Sequence, residues 1–196
     1  MNEWEAKYQR GEVFWDRGAA SPPLVAWAKA HPELLKGRVL VIGCGHGHDV
    51  AALRELGVDA AGLDISPTAL KGAAERYPDV PADHWLCEDL FNLSPTALNA
   101  WDVIIEHTCL SGMPPEMRHD YSRGVLAALK PAGLIVGIWF ISPDLDPGHV
   151  GPPYPLPVEA LDTLFAETCT VIEDRVPKEA YPGREGRERL RVLRKN

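Results

Sequence analysis

The sequence predicts an α/β fold in which a mostly parallel sheet carries helices on both faces. Short apolar runs rich in β-branched residues, the first at residues 39–42, are typical of buried strands and alternate with segments of helical character. A turn containing Gly43, Gly45 and Gly47 follows the first run and leads into a helix. A chain of 196 residues has the size of one domain, which we expect to cover residues 1–196.

Local signals indicate where the helices begin and end. Pro22 and Pro23 stand at the start of the first helix, because proline fits the first helical turn. Ser66 caps a later helix and Pro67 takes its first turn, while the sequence Lys-Pro-Ala-Gly at residues 130–133 ends another. The predicted helices cover residues 24–36, 49–56, 67–76, 116–129 and 158–165. The predicted strands cover residues 39–42, 59–64, 84–87, 101–106, 134–140, 168–172 and 190–193.

The spacing of the glycines indicates the kind of ligand that the turn binds. Dinucleotide sites use G-x-G-x-x-G, whereas this turn is G-x-G-x-G and His48 stands where the last glycine belongs. Asp64 ends the second strand, 17 residues after Gly47, where a ribose-binding carboxylate is expected. The pattern favours a nucleoside without a pyrophosphate, and S-adenosylmethionine fits it. A nicotinamide-dependent oxidoreductase and a non-enzymatic cofactor-binding protein are the alternatives.

Several polar residues follow the carboxyl ends of predicted parallel strands and should converge on one crevice. These are Asp64, Asp89, and the pair Glu106 and His107. Glu106 and His107 are candidates for the substrate side of the crevice, and Tyr154 is a third. The proline-rich segment 143–157, which contains Tyr154, either closes this side or is a rigid surface connection.

Composition and charge disfavour several classes of function. The net charge of −8 at pH 7 argues against broad contacts with nucleic acid, although residues 184–195 carry six basic and two acidic side chains. No apolar run reaches the roughly 18 residues of a membrane span, and the N-terminus is not a signal peptide. We therefore expect a cytoplasmic protein, monomeric or weakly dimeric, that acts on a small molecule.

The cysteine and histidine pattern does not predict a metal site. The four cysteines form no C-x-x-C pair and are expected to be small buried thiols in a reducing compartment. His46 and His48 form an H-x-H pair, but we expect no acidic or cysteine partner to complete a metal site with them. We expect these histidines to belong to the turn that faces the ligand.

Motifs over almost the whole chain resemble those of class I S-adenosylmethionine-dependent methyltransferases. Within that class, the resemblance is to the thiopurine methyltransferase group, which includes plant halide and thiol methyltransferases. The motifs are W-D-R-G at residues 15–18, I-G-C-G-H-G-H-D at 42–49, G-L-D-I-S at 62–66, M-P-P-E-M-R at 113–118, L-K-P-A-G at 129–133, G-P-P-Y at 151–154 and G-R-E-G-R-E-R-L at 183–190. The resemblance implies a Rossmann-like, mostly parallel seven-stranded sheet with an antiparallel C-terminal strand.

The resemblance also implies the chemistry and the cofactor contacts. The expected reaction is methyl transfer from S-adenosylmethionine to a small soft nucleophile: a thiol, sulfide, selenide or halide, with thiopurine-like acceptors also open. Residues 1–35 are expected to form an aromatic arm and helix that cover the cofactor as a lid. His107 stands where plant relatives show Tyr and thiopurine-type relatives show Arg. Cofactor contacts are expected at Trp4, Tyr8, Trp15, Gly43, Gly45, Asp64, Ile65, Asp89, Leu90 and His107.

Overall fold

The structure is a computed structural model that describes residues 2–141, 148 and 150–196. Seven strands form one sheet in the order β3-β2-β1-β4-β5-β7-β6. The strands are β1 Arg38–Ile42, β2 Asp59–Asp64, β3 Trp85–Cys87, β4 Trp101–His107, β5 Leu129–Phe140, β6 Cys169–Arg175 and β7 Glu188–Lys195. The first five run parallel, and β7 lies antiparallel between β5 and β6. The predicted sheet is therefore confirmed.

The helices are α1 Glu3–Arg10, α2 Pro22–Ala30, α3 His48–Glu55, α4 Pro67–Arg76, α5 Arg118–Ala128 and α6 Val158–Phe165. The prediction that the helix after Pro22 continues to residue 36 is wrong. It ends at Ala30, because Pro32 disfavours helical backbone at His31, which adopts φ −129° and ψ 50°. The predicted cap of α4 is confirmed, since the Ser66 hydroxyl accepts the Ala69 N–H at 3.0 Å.

Two apolar layers pack on the opposite faces of the sheet. Alternate residues of β1 show the division: Leu40 and Ile42 belong to one core cluster, and Val39 and Val41 to the other. A strand buried on both faces is typical of a parallel sheet covered by helices. No helix among residues 2–141, 148 and 150–196 has both the length and the apolarity to span a membrane.

Candidate functional site

In the glycine turn between β1 and α3, both the backbone conformation and the close neighbours leave no room for a side chain on the glycines. Gly43, Gly45 and Gly47 all adopt positive φ, at 57°, 52° and 77°. A Cβ on Gly43 would lie 2.7 Å from Cys109 Sγ, and one on Gly45 would lie 2.7 Å from Tyr8 Oη. Glycine at these positions therefore permits both the turn and the close approach of its neighbours.

Asp64, the last residue of β2, ties the glycine turn to the start of α4. Its carboxylate is 6% exposed and accepts two backbone N–H groups, from Gly45 and from Ser66, each at 2.9 Å. Burial raises the pKa of the carboxyl, and the two backbone donors oppose that shift. Asp64 is thus a buried hydrogen-bond acceptor beside the turn, where a carboxylate that binds ribose hydroxyls is expected.

Three aromatic side chains of the N-terminal arm, residues 2–20, cluster beside the glycine turn. Trp15 makes edge-to-face contacts with Trp4 and Tyr8, at ring-centroid distances of 5.1 and 5.6 Å. Its indole N–H donates to Tyr8 Oη at 3.3 Å. Because Tyr8 also approaches Gly45, the cluster covers the turn directly.

Glu5 anchors this arm to the start of α4. Its carboxylate accepts the hydroxyl groups of Ser66 and Thr68, both at 2.6 Å, and the Thr68 N–H at 3.1 Å. These hydrogen bonds lower the pKa of Glu5 to about 2. Asn2 adds a bond from its side-chain amide to the carbonyl of Ile65 at 3.2 Å. Ile65 therefore contacts the arm through its backbone.

A cleft of about 80 Å³ lies between the arm and the carboxyl ends of β1 and β4, and its lining includes Tyr8, Trp15, Gly43, Gly45 and His107. A larger cavity, about 510 Å³, lies at the opposite end of the sheet, near Gly37 and Asp59. We place the functional site at the smaller cleft, because ligands of parallel α/β sheets bind at the carboxyl ends of strands.

His107 pairs with a buried carboxylate in this cleft. Its Nδ1 lies 2.7 Å from an oxygen of Asp49, whose other oxygen accepts the Ser21 N–H at 2.7 Å. Burial alone would lower the pKa of His107, but the Asp49 carboxylate outweighs it and the pKa is raised. The imidazole stacks on Tyr181 at 5.9 Å, and its Nε2 has no hydrogen-bond partner among the described residues.

Other predicted site residues lie outside the lining of the cleft. Glu106 is fully buried beneath it and accepts the Leu110 N–H at 3.0 Å, and burial raises its pKa to about 7. Glu106 is therefore enclosed in this structure, and its role on the substrate side stays a prediction. Tyr154 donates its backbone N–H to the carbonyl of Ser111 at 2.7 Å and also lies away from the lining.

Asp89 and Leu90, two of the expected cofactor contacts, are likewise not among the residues that line the cleft. Asp89 accepts the backbone N–H of Phe91 at 2.9 Å. Leu90 is 7% exposed and packs against Gly124 of α5, where a Cβ would lie 2.4 Å from the Leu90 carbonyl oxygen. Part of the proline-rich segment, residues 143–147 and 149, falls outside the described residues.

Sequence reasoning missed two acidic residues at the site. Asp49 partners His107, and Asp16 contacts both His46 and His48, with 3.0 Å between Asp16 Oδ1 and His48 Nε2. The histidines hold the pKa of Asp16 well below its usual range. The premise that His46 and His48 have no acidic partner is therefore wrong, since the fold supplies one from 30 positions away in the chain. The W-D-R-G motif was the available signal for Asp16.

The fold and the glycine turn define a class of protein. A turn with three glycines after β1, a buried acid after β2 and this sheet order are the features of Rossmann-like S-adenosylmethionine-dependent methyltransferases. Residues 1–192 match the family described as Thiopurine S-methyltransferase (TPMT), and the chain belongs to that family. It is thus a methyltransferase with S-adenosylmethionine as cofactor.

Individual relatives agree with this assignment. The chain is 34% identical over 165 residues to thiocyanate methyltransferase 1 of Brassica oleracea, covering 83% of this chain and 70% of the relative. It is 32% identical over 194 residues to the Arabidopsis thaliana protein of the same name, covering 95% and 82%. A thiopurine S-methyltransferase of Nitrosospira multiformis is 28% identical over 86% of this chain and 82% of its own length.

A solved structure shows the same fold. It is the 1,6-didemethyltoxoflavin-N1-methyltransferase of Burkholderia thailandensis with bound S-adenosylhomocysteine. The TM-score is 0.72 at 22% identity, over 99% of this chain and 86% of the other.

Proposed function

We propose that this methyltransferase acts on a small soft nucleophile: a thiol, sulfide, selenide, halide or thiocyanate, with thiopurine-like thiols as further candidates. Relatives named for thiocyanate, thiol and thiopurine methyl transfer support this acceptor class. Bound S-adenosylmethionine supplies a methyl group on a positively charged sulfur. A thiolate or halide is already a nucleophile, so the protein's main task is to bind and align it.

The observation that carries the proposal is the His107–Asp49 pair. Asp49 favours the protonated form of His107, and the Nε2 of His107 has no partner among the described residues. A protonated Nε2–H can donate a charge-assisted hydrogen bond to an anionic acceptor. Arg17 adds a second cation to the cleft lining. The carboxylates of Asp16 and Asp49 also line the cleft, so the unpartnered donor of His107, rather than a net positive charge, would favour an acceptor that arrives as an anion. Such an acceptor needs no general base.

We assign the cofactor contacts by residue position. Asp64 would accept the ribose hydroxyls, and Gly43 and Gly45 would lie against the methionine end. The face of Trp15 would attract the sulfonium, since such cation–π contacts contribute about 0.5–2 kcal/mol. Ile65 would border the adenine, joined by Asp89 and Leu90 once the cleft opens, because these two lie outside its present lining. Trp4 and Tyr8 would complete the cofactor site, and His107 would contact both cofactor and acceptor. The acceptor side would include Tyr154.

Residues 1–35, which comprise the N-terminal arm and the helix that follows it, would act as a lid. Ligand pockets usually enclose roughly 300–1,000 Å³, whereas the cleft beneath Trp15 and Tyr8 measures about 80 Å³. The arm must therefore move outwards to admit a nucleoside. We further propose one domain over residues 1–196, a monomer or weak homodimer, no nucleic-acid partner, and a cytoplasmic location, which suits the four free cysteines.

The decisive experiment compares acceptors that differ in whether they carry a proton. The protein is incubated with methyl-labelled S-adenosylmethionine and either iodide, thiocyanate or thiols of graded acidity, and methylated products are quantified across pH. Thiol turnover should follow the thiolate fraction. Iodide has no proton to lose, so its profile is the matched control and should not follow thiol ionisation.

Two results would contradict the proposal. One is transfer to oxygen nucleophiles, such as phenols, in preference to every soft anion. The other is thiol turnover that stays constant far below the thiol pKa, because the chain would then be supplying a base.

A further inference from the structure

Three potential metal ligands from two separate segments come together in the lining of the cleft. Asp16 belongs to the N-terminal arm, and His46 and His48 belong to the glycine turn. Their donor atoms, one from each residue, all lie within 4.8 Å of one another. Each side chain keeps some exposure, 15% for Asp16, 19% for His46 and 11% for His48, so an ion could reach the cluster from solvent.

The donor set suits zinc or a similar divalent transition metal. Two imidazole nitrogens and one carboxylate are a common protein ligand set for Zn²⁺, which binds such atoms at about 2.0–2.2 Å and takes water as a fourth ligand. Asp16 contacts both histidines directly, so an ion at the centre would replace these hydrogen bonds. The carboxylate and the imidazoles would need to separate slightly to admit it.

Neighbouring groups already orient the ligands. Tyr77 Oη lies 2.6 Å from His48 Nδ1, which leaves Nε2 as the nitrogen that faces Asp16. The Gly18 N–H donates to an Asp16 oxygen at 2.7 Å. Metal-binding histidines generally use their second ring nitrogen in this way, because such a bond fixes the ring and its tautomer.

We propose that Asp16, His46 and His48 form a site for a divalent transition metal, with Zn²⁺ as the probe ion. The bound ion would join the N-terminal arm to the glycine turn through direct ligand bonds. It would therefore restrict opening of the arm independently of the methyl-transfer chemistry.

Metal binding is tested on the whole chain without cofactor. Co²⁺ is titrated while visible d–d absorption is recorded, and Zn²⁺ is then used to displace it. Wild type should bind one ion per chain and gain thermal stability with Zn²⁺. Asp16→Asn should abolish both signals, and Tyr77→Phe should weaken affinity about 10- to 100-fold. His84→Gln is the matched control, because His84 pairs with Asp59 outside the cluster.

Limited trypsin digestion tests the link to the arm. The basic side chain of Arg10 in the arm is 55% exposed and offers a cleavage site. Zinc should slow cleavage there in wild type and in His84→Gln, but not in Asp16→Asn. If Asp16→Asn does not fold, the Tyr77→Phe series decides. The proposal is overturned if wild type binds no Co²⁺ or Zn²⁺, or if Asp16→Asn and Tyr77→Phe bind the ions with wild-type affinity.

Discussion

Replacing Asp64 with asparagine should weaken both the cofactor site and the fold. The carboxylate uses one oxygen for the Gly45 N–H and the other for the Ser66 N–H. Asparagine has a single acceptor oxygen, and its NH₂ group would face one of the two backbone donors. One buried N–H is then left without a partner, and the charge that would strengthen a bond to a ribose hydroxyl is lost.

The magnitude follows from the number and kind of bonds. A hydrogen bond to a charged group contributes about 1.5–3 kcal/mol. Loss of one such bond to the turn should lower the free energy of unfolding by that amount. Loss of one bond to the ribose should raise the Kd for S-adenosylmethionine about 10- to 150-fold, since 1.4 kcal/mol corresponds to a factor of ten.

Calorimetric titration with S-adenosylmethionine and S-adenosylhomocysteine measures the affinity, and urea unfolding measures the stability. The control is Asp102→Asn at the opposite end of the sheet, where Asp102 accepts the Arg38 N–H at 2.9 Å and pairs with Lys130. That variant should keep wild-type affinity. An Asp64→Asn protein that folds and binds both ligands as tightly as wild type would refute the role of Asp64.

Three further outcomes are expected. Trp15→Ala should lower kcat/KM for methyl transfer while the thermal midpoint changes little; wild-type turnover would contradict its role as a wall of the cleft. Gly43→Ala should lower the free energy of unfolding in urea by about 1–2 kcal/mol because of the φ of 57° at this position. The added Cβ would also clash with Cys109 Sγ and cause a further loss. Adding Cys109→Ala should recover that further loss but not the part that comes from φ. Because Asp49 raises the pKa of His107, this pair should stabilise the fold fully below about pH 6.5 and lose that contribution as pH rises through the folded-state pKa. When the free energy of unfolding is measured against pH, His107→Gln should not show this loss of stability. If the pH dependence of His107→Gln equals that of wild type, the pair does not contribute.

Local patterns predicted the parts of the fold that local physics controls. Apolar β-branched runs gave β1 and β2 within one residue of their observed bounds. The serine-proline signal at Ser66 correctly placed the start of α4. The apolar pattern after Pro22 continues to residue 36 and predicts too long a helix, whereas Pro32 ends it at Ala30. Boundaries of this kind depend on backbone sterics over a few residues, which the sequence shows directly.

The candidate site was predictable only in part. The glycine turn and Asp64 can be predicted from their spacing. Positive φ requires glycines at fixed positions, and the acid ends the next strand about twenty residues later. The burial of Glu106 has no such pattern. It lies at the end of β4 like His107, yet side chains alternate between the faces of a strand and only the packed helices decide which one is enclosed.

By itself, the sequence determined the order of the elements, the glycine turn, the acid after β2 and the family. Only the tertiary structure decided the partners: Asp16 with His46 and His48, Asp49 with His107, and Glu5 with the start of α4. Hydrophobic periodicity and backbone preference act over neighbouring residues and are visible in one dimension. Hydrogen bonds and ion pairs between residues about 30 to 60 positions apart form only when the sheet and helices bring the segments together, so a motif such as W-D-R-G can single out Asp16 but does not show its partners.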